Sequence, residues 1–161
     1  MTFKEKITFA LALPFEQKLW LLSFFLGSLI CWFAVRMIPA RKLAAKMGDQ
    51  YLQHRQLSVI TSEQQANSAS KMGKLMASVS KNVPWESKCL TEALCVKWLL
   101  NRYQIPAVFY LGARLEPDTN TEKMAAHAWL SVGPYVVTGA PAHLDFNVVA
   151  TFVSPKLESP H

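Results

Sequence analysis

Hydrophobic positions along the chain fall into blocks of different period. From Leu19 to Val35, "LWLLSFFLGSLICWFAV", no charge interrupts the run, and extension through Ile38 admits only Arg36. About twenty such residues predict one long helix, close to the length that crosses a bilayer. A helix apolar on all sides either sits in a membrane or is buried against its own domain. In the first case Arg36, Arg41, Lys42 and Lys46 mark the cytoplasmic side. Ser23, Gly27, Ser28 and Cys31 dilute the hydrophobicity and permit close helix packing, which favours the buried helix. No small-residue cleavage site precedes the basic "RMIPARKLAAK", so the run does not read as a cleavable signal. Pro39 and Gly48 then bracket a short amphipathic segment, Ala40 to Lys46.

A polar, small-residue stretch from Ser58 to Ser70 leads into the next element. Ile60, Ala66, Ala69, Met72, Leu75, Met76 and Val79 recur at helical spacing, which predicts a helix from Glu63 to Lys81 that Pro84 ends. A further helix starts near Ser87, whose hydroxyl can accept from free backbone N–H groups. Its apolar stripes are Cys89, Ala93, Val96, Leu100 and Tyr103, and beside them Leu90, Leu94 and Trp98. A helix apolar over so much of its circumference is central. After Pro106 the period changes to that of strands: "AVFYLGARL", Ala107 to Leu115, then "AAHAWLSV" and "YVVTG" joined at Gly133-Pro134. Glu116 to Lys123 is a solvated loop. Such short connections predict an antiparallel sheet, and helices followed by strands an α+β domain. Residues 1–57 form an N-terminal helical region, with the apolar helix at 19–38. Residues 58–161 form the core, and the two pack as one domain.

Composition narrows the picture further. The 161 residues fit one modest domain, and 51% hydrophobic against 17% charged residues exclude disorder beyond short segments. The net charge of +6 suits an acidic peptide or an anionic membrane surface. Nucleic acid fits least, because no recognition motif is present. Three cysteines, Cys31, Cys89 and Cys95, have neither framework nor zinc spacing. No structural disulfide, metal site or cofactor is expected, and the chain suits a reducing cytoplasm.

A thiol attacks as thiolate, and a helix N-terminus stabilises that form through its aligned dipoles and free N–H groups. The same N–H groups can cradle the oxyanion formed when a thiolate adds to an amide carbonyl. Cys89 stands at such a start, whereas Cys95 lies deeper and reads as a small buried hydrophobe. In the strand "AAHAWLSV", Ala125, His127, Trp129 and Ser131 share one face. Small Ala126 and Ala128 on the other face leave room for a helix. An imidazole there can deprotonate a thiol and later protonate a leaving amine. From spacing alone, a structural cysteine and an incidental histidine explain the pattern as well.

The ordered set "PWESKCLTEAL", "LLNRYQIPAVFYLGAR" and "AAHAWLSVG" closely resembles the lasso-peptide leader peptidases, biosynthetic B-type proteins of transglutaminase-like fold. The matching features are Pro84-Trp85, Cys89-Leu90, Ile105-Pro106, Leu111-Gly112 and His127-Ala128-Trp129. The resemblance runs from Val83 to Gly139, and more loosely through the N-terminal helices. It implies a transglutaminase-like (papain-like) cysteine peptidase that cuts the leader from a ribosomally made precursor. Cys89 would be the nucleophile and His127 the base and acid. It also implies two partners besides the precursor, a separate leader-recognition protein and an ATP-dependent lasso cyclase. The chain then resembles the peptidase half of a split system.

One feature departs from that pattern. The family commonly completes a triad with an aspartate about a dozen residues after the histidine, where this chain has Thr138-Gly139. Asp145 is the candidate that could swing in, with His143 nearby and without a role. Otherwise a backbone carbonyl or Thr138 orients the ring, or the pair works as a dyad. Trp85 and Trp129 are expected to be packing residues at the site's edge. Rival functions are a non-catalytic scaffold of a membrane-associated maturation complex and an acyltransferase of the same fold.

Overall fold

A computed structural model describes residues 8, 11–39, 42, 49–51, 59–116 and 123–154. Most of the expected segment from Ala40 to Lys46 and of the loop after Glu116 lies outside them. Among the described residues three long helices are present: α1 (Phe15–Met37), α2 (Glu63–Ser80) and α3 (Cys89–Arg102). The strands are β1 (Asp49–Tyr51), β2 (Ala107–Glu116), β3 (Lys123–Val132), β4 (Tyr135–Thr138) and β5 (Asn147–Ser154). They form one antiparallel sheet in the order β1-β5-β2-β3-β4, giving the α+β fold anticipated.

Local chemistry sets the helix ends. Ser62 caps α2 in a reciprocal box: Gln65 N–H donates to the Ser62 hydroxyl at 3.2 Å, and Ser62 N–H to the Gln65 side chain at 3.0 Å. The cap of α3 is Lys88, one residue later than expected, and no side chain accepts there. The Ser87 hydroxyl is instead hydrogen-bonded to Ser80 at 3.1 Å, which ties the start of α3 to the end of α2. Gln104 closes α3 with a φ of 53°, and Ile105 N–H returns to the Leu100 carbonyl.

Alternation along the strands divides the buried residues between two faces. Phe109, Ala128, Leu130, Val132 and Phe152 meet the helices, together with Met72 and Met76 of α2 and Val96 and Leu100 of α3. Val108, Tyr110, Trp129 and Val153 line the other face with Val59, and the Tyr110 and Trp129 rings stack at 5.4 Å. Gly73 brings α2 against β4, since a Cβ there would run into the Val137 carbonyl.

α1 is buried along one face only. Trp20, Phe24 and Ser28 enter the core, and the Trp20 indole donates to the Tyr103 hydroxyl at 2.8 Å. Phe15, Leu19, Leu22, Leu26, Ile30, Phe33 and Met37 form an exposed apolar stripe at helical spacing. Among the described residues α1 is the one helix long and apolar enough to cross a membrane. Its two faces should respond differently to mutation. Phe24→Ala should cost about 3–5 kcal/mol of stability, as large-to-small core changes do. Leu22→Ser, at a position 57% exposed, should shift the denaturation midpoint little. Equal losses in urea unfolding would contradict the one-sided packing.

Candidate active site

Cys89 is the first residue of α3 and is half-buried, packed against the helix-side core. Glu92 N–H closes the first turn on the Lys88 carbonyl at 3.1 Å. The N–H groups before it therefore lie outside the helix's own ladder. Glu92 itself falls on the same helix face as Cys89. Burial pushes its carboxyl above the usual glutamate range, while a hydrogen bond with Ser80 and the charges of His127 and Lys81 pull it back. The carboxyl thus stands within the electrostatic reach of the imidazole.

His127 sits on β3 opposite Gly112 of β2. Its ring stacks on Phe146 at 5.1 Å and Trp129 at 6.0 Å. Nε2 lies 2.9 Å from the carbonyl oxygen of Gly139. A carbonyl only accepts, so Nε2 carries the hydrogen and the neutral ring keeps its lone pair on Nδ1. Gly139 is required there twice over. Its φ is 82°, and a Cβ would stand 2.6 Å from the Trp129 Cβ and 3.0 Å from His127 Nε2.

β4 pairs with β3 only from Leu130 onward, so among the described residues the strand edge beside His127 has no partner on that side. α3 packs against β3 from the helix side. The Cys89 thiol and the ring share no hydrogen bond in this structure. The ring packs with Trp129 and Phe146 on the strand face turned away from the helices, whereas Cys89 packs on the helix side, so the two could meet only around the open edge of β3.

Asp145 occupies the 3₁₀ turn Ala142–Asp145 and pairs with Arg114 at 3.7 Å, both side chains largely exposed. Arg114 also contacts Glu116 at 3.6 Å and lies over the Phe146 ring. The hydrogen-bond partner of His127 is the Gly139 carbonyl, at the place where the resembled family carries its acid, while Asp145 pairs with Arg114. The Thr138 hydroxyl is buried with no hydrogen-bond partner, as is His143 Nδ1. Trp129 packs in the core beneath the imidazole, and Trp85 meets Phe25 of α1 at 5.4 Å with its indole N–H buried and unpartnered.

Glu92 was not anticipated from the sequence, and a backbone carbonyl is among the ring's expected partners without Gly139 being singled out. Glu92 could have been found from its spacing, three residues after Cys89. Gly139 could have been found from its place twelve residues after His127, where the resembled family carries its acid. Together the groups can supply a nucleophilic sulfur, a base of defined tautomer and free helix N–H groups, as thiol acyl transfer needs. The described residues hold no group of His, Cys, Asp and Glu side chains suited to a metal ion.

A helix bearing a cysteine at its start, laid on an antiparallel sheet that presents a histidine, defines the class. The chain belongs to the transglutaminase-like superfamily, whose family model matches residues 34–151. That superfamily includes cysteine peptidases and acyltransferases. No curated protein and no solved structure matches the chain significantly.

Glu92 offers a test of this geometry through stability. Because its folded pKa is raised, the folded protein binds more protons than the unfolded chain between the usual glutamate value and the raised one. Its contribution is therefore present at acid pH and lost as pH rises through that window. Glu92→Gln should remove this slope. Its melting temperature relative to the parent should rise between about pH 4 and about pH 7. A constant difference across that range would show that the carboxyl is not perturbed.

Proposed function

We propose that the protein is a cysteine peptidase that releases the leader from a lasso-type precursor peptide. The observation that carries the chemistry is the hydrogen bond from His127 Nε2 to Gly139, which leaves Nδ1 as the basic nitrogen of a ring whose charge acts on Glu92 in the first turn of α3. The ordered Pro-Trp, Cys-Leu, Ile-Pro, Leu-Gly and His-Ala-Trp motifs support the choice of substrate.

In the proposed reaction Nδ1 takes the Cys89 proton and the sulfur adds to the carbonyl carbon at the leader–core junction. The oxyanion faces the free N–H groups at the start of α3. Collapse breaks the C–N bond, and the imidazolium returns its proton to the departing amine of the core. Water, deprotonated at Nδ1, then cleaves the thioester and restores the thiol. The carbonyl of Gly139, rather than Asp145, holds the ring through both transfers. The precursor would be delivered by a separate recognition protein, and the freed amine passed to an ATP-dependent cyclase. The net charge of +6 suits contact with an acidic leader or partner.

Incubation of the purified protein with a precursor and its recognition protein, followed by mass spectrometry, tests this reading. Cys89→Ala should abolish leader release, and Cys95→Ala should keep most of it. Product in which an amine, not water, has captured the leader acyl group would identify an acyltransferase instead. Activity in Cys89→Ala would sink the mechanism.

The orienting group is tested separately. Gly139→Ala should lower the turnover rate by about 10²-fold or more, because the ring loses its position and its defined tautomer. Asp145→Asn should change it by less than about three-fold, since an exposed ion pair contributes about 1 kcal/mol or less. The reverse ranking in steady-state kinetics would return the role to Asp145.

A further inference from the structure

α1 and α3 run antiparallel, since Trp20 reaches Tyr103 and Gly27 lies beside Cys95. Between them runs an open groove of about 620 Å³. Its long wall is apolar: Leu26, Ile30, Ala34 and Ile38 from the α1 side, with Leu94 and Trp98 from α3. Leu26 to Ile38 spans about 18 Å along the helix axis. The antiparallel pairing sets Ser23 opposite Lys97 and Asn101, so the groove has one polar end and one apolar length.

Lys97 is the feature that the fold does not explain. It is 4% exposed, and among the described residues it has no ion pair or hydrogen bond. Burial alone acts on its ammonium and pushes it below the usual lysine range. The stem is buried while the ammonium itself keeps some contact with solvent in the groove, and a cation there without a counter-charge would gain from an anion entering the groove. The occupant must be slender. A helix of about 10 Å diameter does not fit a groove of this volume. A single hydrocarbon chain fits both the volume and the apolar length. Leu26, Ile30 and Trp98 are themselves largely exposed, so the groove opens onto the bare stripe of α1 and is accessible from outside.

We propose that this groove binds a single-chain anionic amphiphile, a fatty-acid-type carboxylate, with its chain along Leu26, Ile30, Ala34 and Ile38 and its head on Lys97. Such a ligand bridges α1 to the helix that begins at Cys89. The proposal does not depend on the peptidase reading.

Isothermal titration of the full-length, delipidated protein with straight-chain fatty acids and the matching alcohols, all below their micellar concentrations, tests it. Binding should saturate at one ligand per chain. The Kd should fall about four-fold per added methylene until the groove is full. The alcohol of equal length should bind about ten-fold or more weakly, because it lacks the charge-assisted contact. Lys97→Met should erase the preference for acid over alcohol while keeping the alcohol's affinity. Gly27→Leu, whose side chain projects into the groove, should abolish both, with the rate of Cys89 alkylation unchanged as a folding control. The proposal is overturned by an absence of saturable binding, by an acid preference that survives Lys97→Met, or by unaltered binding in Gly27→Leu. Adsorption to phosphatidylglycerol vesicles without uptake of monomeric acid would overturn it too, and would assign the exposed face of α1 to a bilayer.

Discussion

Burial of α3 from two sides is the constraint on which the other placements depend. Ala93, Val96 and Leu100 are fully buried, enclosed by the sheet on one side and by α1 and α2 on the other. Burial of this kind contributes roughly 1.5–3 kcal/mol for each large apolar side chain. It therefore outweighs the uncapped start of the helix at Lys88, since a missing cap costs about 1 kcal/mol. Small residues on the facing elements make the approach possible. Ala128 on β3 admits α3, and Gly73 on α2 admits the β4 backbone. Once α3 is seated, its first turn is pinned at the end of α2 through Ser87 and Ser80. Cys89 is then held on the helix side of the sheet, in the first turn of a helix that packs against β3.

Periodicity made much of this legible. The stripe from Ala66 to Val79 is the buried face of α2, and the strands around His127 and Val136 pair as their alternation predicts. Trp129 faces away from the helices and Ala128 toward them, as an odd–even reading of "AHAWL" requires. β5 escaped notice although "NVVATFV" is rich in β-branched residues, because the loop at Pro141 to Phe146 broke the run of short hairpins. β1 has three residues, too few for any period to register. For α1 the composition is apolar all round, so hydropathy cannot say which face meets the domain. That choice is made by Trp20 and Phe24, whose shapes fit beside Tyr103 and the core.

The candidate site was legible as residues and not as contacts. Cys89 and His127 stand out by type and by place in their elements, whereas the hydrogen bond on the ring is made by backbone, which no side-chain pattern announces. Gly139 could enter that position only because the chain turns there with positive φ, and its hydrogen side chain lets the carbonyl come within 2.9 Å of the ring. A carboxylate at the same place would need a longer reach and would displace the Trp129 side chain that now fills the space.

Exchanging a carboxylate for a carbonyl has an electrostatic consequence for the proposed reaction. Both acceptors fix the same tautomer, but only a carboxylate brings a full negative charge to stabilise the imidazolium formed when the thiol is deprotonated. Glu92 is an acidic side chain on which the charge of His127 acts, and its burial favours the neutral form. A protonated ring therefore draws Glu92 toward its ionised form. Charge separation at Cys89 and His127 would in this way carry its own counter-charge on the first turn of α3. That turn would supply the nucleophile, the oxyanion donors and the compensating carboxyl, and the sheet would supply only the ring and the backbone oxygen that steadies it.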